Sequence, residues 1–278
     1  MIATTNTPHS SVSTVGPIRD YISYSSISAY QRCPLYYRFR YIDGLPETVV
    51  SSSLIFGGAI HSALEFHFSE LLCGNEPPSL DLLLDVFQEA WESRSAEQAE
   101  IRFGKGEDHN SLSALADRML TSFRASSAAE SDETVIGIEE SLRGELIPGV
   151  PDLVARIDLL STTNNELLIT DFKTSRSRWS QGQAENSADQ LLLYSELARR
   201  MMPDRTVRLR FLVLTKTKTP AVEAFDVEVS HRRVQRTIKA VEHTWRAIES
   251  GHFYPAPSPM NCPSCPYRNA CQAWMGDE

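Results

Sequence analysis

The spacing of hydrophobic residues changes part-way along the chain. In the first half, apolar residues recur three or four positions apart, which is typical of helices with one buried face. This pattern predicts helices over 54–73, 80–97 and 111–127. Gly74 directly follows the first of them, and glycine is the residue most often found where a helix ends.

From about residue 134 the apolar segments become short and rich in β-branched residues, which indicates strands. The predicted strands are TVIGIEESL, VARIDLL, ELLITDF, VRLRFLVLT and AVEAFDVEV. Turn sequences such as PGVP and STTNN separate them. One helix, over 188–202, interrupts the series, and another is predicted at about 230–250. The order favours a single α/β core with an added helical layer.

The ends and the charge limit the class of protein. Residues 1–20 are polar, lack a leader pattern and are predicted to be a disordered lead-in, whereas residues 21–278 are predicted to form one domain. We therefore expect a cytoplasmic protein with no membrane association. The net charge of −9 argues against a protein that simply coats nucleic acid. Residues 171–218, however, carry ten Lys and Arg against five Asp and Glu, a local balance of +5 that a solvated surface would explain equally well.

Two aspartates and a lysine lie on neighbouring predicted strands. Asp158 is near the end of VARIDLL, and Asp171 and Lys173 are two residues apart on the next strand, so their side chains share one face. A hairpin centred on residues 164–165 would bring Asp158 opposite Asp171. Paired carboxylates repel unless a cation lies between them, and their oxygens suit Mg²⁺ or Mn²⁺. With a lysine that orients water or offsets phosphate charge, this set suits phosphodiester hydrolysis. The alternative is an exposed Asp–Lys ion pair, which is the commoner meaning of such a triplet.

Three of the five cysteines lie within ten residues near the C-terminus. A closed thiolate metal site usually needs four ligands. Cys73, which ends an apolar helix, is predicted to be a small buried hydrophobic residue. Cys33 is therefore the candidate fourth ligand, with the two ends of the chain folding together. The predicted ligands are Cys33, Cys262, Cys265 and Cys271.

Several segments, in order, resemble one family. The pattern IDLL…ITDFKTS resembles the core of the PD-(D/E)XK nuclease superfamily, in particular its RecB-like branch. GGAIHSALE is similar to the helix that supplies a histidine metal ligand, and ADQLLLYSEL to the helix that carries a glutamine and a tyrosine. SYSSISAYQRCPLYYRFRY is similar to the N-terminal signature. Together these matches run from about residue 22 to 275.

The resemblance implies a fold and a set of site residues. The fold is a restriction-endonuclease-like mixed central sheet flanked by helices, with an N-terminal helical layer and a helical insertion at about 75–130. The implied metal ligands for Mg²⁺ or Mn²⁺ are His61, Asp158, Asp171 and the backbone carbonyl of Phe172. Lys173, Gln190 and Tyr194 complete the implied catalytic set. A buried core histidine and an ordinary half-buried helix face are the alternatives for the histidine and for the Gln–Tyr pair.

Two acidic positions have competitors. In GIEESL, Glu139 is favoured marginally over Glu140 as the acid of the strand that precedes the metal-binding strands, and either can be a surface charge. Asp152 shares strand parity with Asp158, but the family pattern selects Asp158.

The cysteine spacing, with proline after three of the four thiols, resembles the iron–sulfur staple of AddB-type helicase-nuclease subunits and CRISPR-associated RecB-like exonucleases. This implies a [4Fe–4S] cluster joining the N- and C-terminal parts, with Zn²⁺ as the alternative. Arg32, Tyr36 and Arg38, close to Cys33, are candidates for contacting a single strand. Packing around the metal site explains them equally well.

These features favour an Mg²⁺- or Mn²⁺-dependent deoxyribonuclease, most simply an exonuclease that prefers single strands. Its setting would be DNA repair, recombination or phage or CRISPR DNA processing, with a helicase or another DNA-processing protein as a partner. The alternative is a non-catalytic nucleic-acid-binding subunit of a helicase-nuclease complex. A redox iron–sulfur protein leaves the Asp171–Lys173 strand unexplained.

Overall fold

A computed structural model describes residues 19–96, 100–130, 133–163 and 166–276. The helices are α1 (Tyr24–Arg32), α2 (Pro34–Tyr37), α3 (Ser52–Leu72), α4 (Leu80–Ala96), α5 (His109–Arg124), α6 (Gln181–Asn186), α7 (Asp189–Met201), α8 (His231–Glu249) and α9 (Arg268–Met275). The strands are β1 (Tyr21–Ser23), β2 (Val50–Ser51), β3 (Ile101–Arg102), β4 (Thr134–Gly144), β5 (Asp152–Thr163), β6 (Glu166–Ser175), β7 (Thr206–Thr215) and β8 (Val222–Val227). The long helices and strands predicted from hydrophobic spacing are all present. Residues 1–18, most of the predicted lead-in, lie outside the described residues.

The central sheet is mixed, as predicted. Its order is β1-β5-β6-β7-β8, and β4 pairs with the other edge of β5. The β5–β6 and β7–β8 pairs are antiparallel, whereas β6 and β7 are parallel because α7 carries the chain back across the sheet. The strands β2 and β3 form a separate small sheet.

Helices cover both faces of the sheet. Helices α1, α7 and α8 pack on one face over residues such as Ile157, Ile169 and Phe211. Helices α3, α4 and α5 pack on the other over Leu159, Phe172 and Leu212. The sheet is therefore the middle layer of three, and the predicted helical insertion supplies most of one outer layer. Among the described helices, none is both long and apolar enough to cross a membrane.

The two ends of the described chain meet, as the cysteine spacing predicted. The Tyr30 hydroxyl donates a 2.6 Å hydrogen bond to the His252 carbonyl, and the Leu35 N–H donates to the Tyr254 carbonyl at 3.0 Å. Leu35, Phe39 and Tyr267 form a small buried cluster at this junction. Ordinary hydrogen bonds and packing thus hold the N-terminal helices against the C-terminal segment.

Candidate active site

Strands β5 and β6 separate at the two aspartates. Their pairing runs from Thr163–Glu166 to Leu159–Thr170, so Asp158 and Asp171 are the next two residues in register. Beyond this point β5 exchanges its partner, because β1 pairs with residues 152–154 along the same edge. The Phe172 N–H, no longer used by a neighbouring strand, donates a 2.7 Å hydrogen bond to Asp158 Oδ2. The register predicted from a turn at 164–165 is confirmed, although the turn itself lies outside the described residues.

Asp171 is buried and paired with Lys173. Its side chain is 5% exposed, whereas that of Lys173 is 33% exposed, and the two form an ion pair. Burial raises the pKa of Asp171, the nearby Asp158 charge raises it further, and Lys173 acts in the opposite direction. The lysine therefore pairs with the buried carboxylate while part of its own side chain stays exposed.

His61 faces Asp158 from helix α3. Its Nδ1 lies 3.7 Å from Asp158 Oδ2. Burial raises the pKa of Asp158 to about 6, against the lowering effects of the Phe172 N–H and Lys173. Burial lowers the pKa of His61, so its imidazole is neutral at pH 7, the form in which histidine binds metals. The charges of Asp171 and Glu65 and the backbone of Phe172 oppose this lowering of the His61 pKa.

Two glycines let α3 approach the site closely. A Cβ on Gly57 would lie 3.2 Å from Thr174 Oγ1 on β6, and one on Gly58 would lie 2.9 Å from the guanidinium carbon of Arg94. His61 is one turn beyond Gly57, so this close contact sets the distance between His61 and the strand that carries Asp171. The segment GGAIHSALE places Gly57 four residues before His61, and this spacing thus has a steric reason.

The cavity that contains His61, Asp158 and Lys173 has a volume of about 570 Å³. Four more charged residues line it, which the sequence analysis either missed or did not decide. They are Glu65, Arg94, Glu139 and Arg156. Glu65 follows His61 by four residues and so lies on the same helix face, a signal visible in the sequence. Arg94 comes from the insertion helix α4, and its sequence neighbours gave no sign of this role.

Glu139, rather than Glu140, lines this cavity, as marginally favoured. Its φ of 52° is left-handed, a conformation that costs a non-glycine residue free energy and occurs often at functional sites. It forms an ion pair with Arg156. Asp152, the competitor of Asp158, instead pairs with Arg143 at 2.9 Å.

Gln190 and Tyr194 lie behind the carboxylates, on helix α7. Gln190 Nε2 donates a 3.1 Å hydrogen bond to the Tyr194 hydroxyl. Burial raises the pKa of Tyr194, and the charges of Asp171 and Asp158 raise it further, so the phenol is neutral near both acids. The sequence analysis did not single out Tyr24. Burial raises its pKa, and the charges of Asp189 and Asp171 raise it further.

No preformed metal cage is present among the described residues: no group of three or more His, Cys, Asp or Glu side chains is arranged to hold an ion as it stands. Asp171 is engaged by Lys173, and Asp158 by the Phe172 N–H. Gathering three ligands around one point therefore requires side-chain rotation.

The family comparison decides the fold family. The family model described as the PD-(D/E)XK nuclease superfamily matches residues 21–272. The chain belongs to the PD-(D/E)XK nuclease superfamily.

A solved structure shares the fold of this superfamily member. A provisionally named exonuclease from Eubacterium rectale is 14% identical, with 91% of this chain and 88% of that chain covered and a TM-score of 0.59. A protein called SSO0001 is 16% identical over 82% of this chain and 87% of its own, with a TM-score of 0.36, which is too low to carry an argument. A search of curated proteins returns no match.

The four cysteines predicted as ligands in this PD-(D/E)XK protein share one cavity of about 200 Å³, although no three of them are arranged to hold an ion as they stand. They are Cys33, Cys262, Cys265 and Cys271. The Ala256 N–H donates to Cys33 Sγ at 3.5 Å and the Ser258 N–H to Cys262 Sγ at 3.2 Å. Burial raises the pKa of Cys265 and of Cys271, and repulsion from the neighbouring cysteines raises both further.

Cys73 does not behave as expected. It is exposed, because α3 ends at the surface just before Gly74 turns the chain with a φ of 77°, so the prediction of a buried residue is wrong.

The three residues predicted to contact a single nucleic-acid strand do not all lie in one place. Arg32 stacks on the Tyr36 ring at 4.1 Å, and both line a cavity of about 210 Å³ beside the cysteines. Arg38 instead pairs with Asp43 at 3.2 Å. Residues 38–42 form a π-helical turn, and Arg40 rather than Arg38 lines this cavity. Of the three candidates, Arg32 and Tyr36 thus line this cavity, whereas Arg38 is paired with Asp43.

Proposed function

We propose that this superfamily member is an Mg²⁺- or Mn²⁺-dependent deoxyribonuclease of the RecB-like branch, acting as an exonuclease on single strands. The observation that carries the proposal is the convergence of Asp158, Asp171, Lys173 and His61 where β5 and β6 separate. A merely structural Asp–Lys pair would not require a neutral histidine and a second, partly protonated carboxylate beside it.

The donor set suits a hard divalent ion. Asp158, Asp171, the Phe172 carbonyl and neutral His61 offer three oxygens and one nitrogen, and Mg²⁺ and Mn²⁺ favour such ligands. When bound, the ion supplies Lewis acidity and charge neutralisation at a phosphate oxygen. The raised pKa values of Asp158 and Asp171 support this assignment, because buried carboxylates without a cation hold their protons tightly.

The protein's own residues then have separate roles. Lys173 places a cation at the cavity wall, where it can orient the attacking water and offset the negative charge that develops on the phosphate. Arg94 and Arg156 line the same cavity and suit the flanking phosphates. Tyr194, hydrogen-bonded to Gln190, holds the buried side of the acidic pair in a neutral, water-poor environment.

A cleavage assay with end-labelled oligonucleotides tests the proposal. We expect Mn²⁺-dependent shortening of single-stranded DNA, with Lys173→Ala and Asp171→Asn each lowering the rate by at least about a hundredfold. Asp152→Asn and Lys105→Ala serve as charge-matched controls and should leave the rate within about twofold. Labels at the 5′ and 3′ ends give the polarity, a circular single strand tests for endonuclease action, and RNA tests the sugar preference. Metal-independent binding without cleavage would instead indicate a non-catalytic subunit.

We also propose that the four-cysteine cavity holds a [4Fe–4S] cluster. Four thiols that share one cavity, with backbone N–H groups directed at two of the sulfurs, support it. Anaerobically purified protein should contain about four irons and absorb broadly near ~400 nm. Cys271→Ser should lose iron, whereas Cys73→Ser, which changes an exposed cysteine, should keep it. One zinc in a colourless protein would identify the site as a zinc knuckle.

The cellular role follows from the substrate. A single-strand exonuclease needs unwound DNA, so we propose a helicase or another DNA-processing partner, in repair, recombination or phage or CRISPR DNA processing in the cytoplasm. We expect the protein to degrade duplex DNA only when a helicase is added to unwind it.

A further inference from the structure

A second cationic cavity adjoins the candidate active site. It has a volume of about 200 Å³ and is lined by Ser53, Phe56, Glu107, Leu112, Leu115, Arg176 and Lys216. Ser53 also lines the cavity that contains His61, Asp158 and Lys173, so the two cavities share a wall. Neither Lys216 nor Arg176 belongs to the residue set assigned above to hydrolysis.

The sheet topology explains why these cations lie together. Strands β6 and β7 are parallel, and their last pair is Ser175 with Thr215. Arg176 and Lys216 each follow directly, and the Lys216 N–H donates to the Ser175 carbonyl at 2.6 Å. Lys173 lies three residues before Arg176, about 10 Å along the strand direction. The catalytic lysine and this cationic pair therefore share one edge of the sheet.

Lys216 is half-buried and has little to neutralise it. Its ammonium donates a 2.6 Å hydrogen bond to Ser53 Oγ and lies 5.8 Å from the centre of the Phe56 ring. Burial lowers the pKa of Lys216, Arg176 lowers it further, and the charge of Glu107 acts in the opposite direction. In the described part of the chain, neither cation has a carboxylate within ion-pairing distance. A half-buried ammonium beside a second cation is stabilised by an anion.

Glu107 is the carboxylate of this cavity. It already accepts hydrogen bonds from Ser52 Oγ and from the Gly104 N–H, both at 2.9 Å. Two cations therefore share one carboxylate, and its Oε2 already accepts both of these hydrogen bonds. The first turn of α3 adds backbone N–H groups: Ser51 Oγ accepts from Leu54, whereas the N–H groups of residues 52 and 53 have no partner within the helix.

We propose that Lys216, Arg176 and Ser53 form a binding subsite for a phosphate of the nucleic-acid strand that neighbours the scissile phosphate. The inference rests on the proposed function, because the strand must enter the adjoining catalytic cavity to reach it. The subsite fixes the position of the strand relative to Lys173 and reads no base, since every contact is to the backbone. It also accounts for part of the positive balance over residues 171–218.

The experiment scans the backbone charge of the substrate. A series of single-stranded oligonucleotides carries one neutral methylphosphonate at each successive phosphate around the cleavage point. For the wild type, we expect one position other than the scissile phosphate at which neutralisation lowers kcat/KM by about tenfold. Lys216→Gln should lower kcat/KM on the unmodified strand by a similar factor and become insensitive at that position.

A binding measurement separates this inference from the proposed function. In Ca²⁺, without turnover, Lys216→Gln and Arg176→Gln should each reduce the dependence of log affinity on log salt by about one unit. Lys218→Gln, an exposed lysine two residues away, is the matched control and should change neither rate nor slope beyond about twofold. If the wild type binds but does not cleave, the proposed function fails while the salt slopes still test the subsite.

Two sources of phosphate are distinguished by the strand ends. Oligonucleotides with a terminal hydroxyl or a terminal phosphate monoester, at either end, should bind with equal sensitivity to Lys216→Gln if the subsite takes an internal phosphodiester. Sensitivity confined to one phosphorylated end would overturn the internal assignment. The subsite would be overturned altogether by one result. In that result the wild type cleaves, but the variants Lys216→Gln and Arg176→Gln both behave like Lys218→Gln.

Discussion

Replacing Asp158 with asparagine should stabilise the metal-free protein at alkaline pH. The carboxyl side chain is only 13% exposed, and its pKa is raised from 3.8 to about 6, chiefly by burial. Asparagine has nearly the same shape, carries no charge and can still accept the hydrogen bond from the Phe172 N–H. The substitution therefore removes a buried charge while its hydrogen bond remains.

The size of the effect follows from the pKa shift. A group whose folded pKa is raised stabilises the fold below its unfolded pKa and loses that contribution as the pH rises through the folded pKa. For Asp158 the window runs from about pH 4 to above pH 6. A shift of about two units corresponds to about 3 kcal/mol, which for a protein of this size is about 6 °C or more in Tm. At pH 8 the Asp158→Asn variant should exceed the wild type by up to that amount, and at pH 4.5 the difference should fall to about 1 kcal/mol.

Thermal and urea denaturation in EDTA at both pH values measures this difference. Asp152→Asn is the matched control, because Asp152 lies on the same strand but is paired with Arg143, so the change should not stabilise. Adding Mn²⁺ at about a hundred times its Kd should stabilise the wild type by about 2.7 kcal/mol and leave Asp158→Asn unchanged. The reasoning would be refuted if the difference in stability were absent at pH 8 or stayed constant down to pH 4.5. Either result would mean that the buried charge of Asp158 does not destabilise the metal-free fold.

Three other substitutions test individual contacts. Gly57→Ala should slow cleavage by about tenfold because its Cβ meets Thr174 Oγ1, and Thr174→Ala in the same chain should restore the rate, as cleavage assays of the two variants would show. At Glu139 the left-handed backbone should make Gly about 1 kcal/mol more stable than Ala, the reverse of the usual order in a strand, as measured by urea denaturation. Tyr30→Phe should cost about 1 kcal/mol by the same measurement, because the His252 carbonyl loses its donor.

The sequence predicted the parts of the site that depend on local pattern. Asp171 and Lys173 share a strand, and a turn centred at 164–165 set the register that brings Asp158 opposite Asp171. Hydrophobic spacing gave the helix that carries His61 to within two residues at each end. These features depend on neighbours in the chain, so they can be recognised without knowing the fold.

The features that were missed depend on contacts between distant segments. The three-residue strand β1 is too short to show a pattern, yet its pairing with β5 explains why β5 leaves β6 at the aspartates. Arg94 reaches the cavity only because α4 packs on Gly58. No sequence pattern indicates the π-helical turn at 38–42. Within this turn, Arg40 rather than Arg38 lines the cavity beside the cysteines.

The junction between the two ends of the chain has a consequence for biosynthesis. Helices α1 and α2 leave the ribosome before their partners exist, because partners such as Tyr254 and Tyr267 are synthesised more than two hundred residues later. Until then the apolar side chains of Leu35 and Phe39 lack their native cover and are available to chaperones or to aggregation. This junction should therefore form only after the segment that contains Tyr254 and Tyr267 has been synthesised, and a chain that stops short of residue 250 should be cleared rather than accumulate.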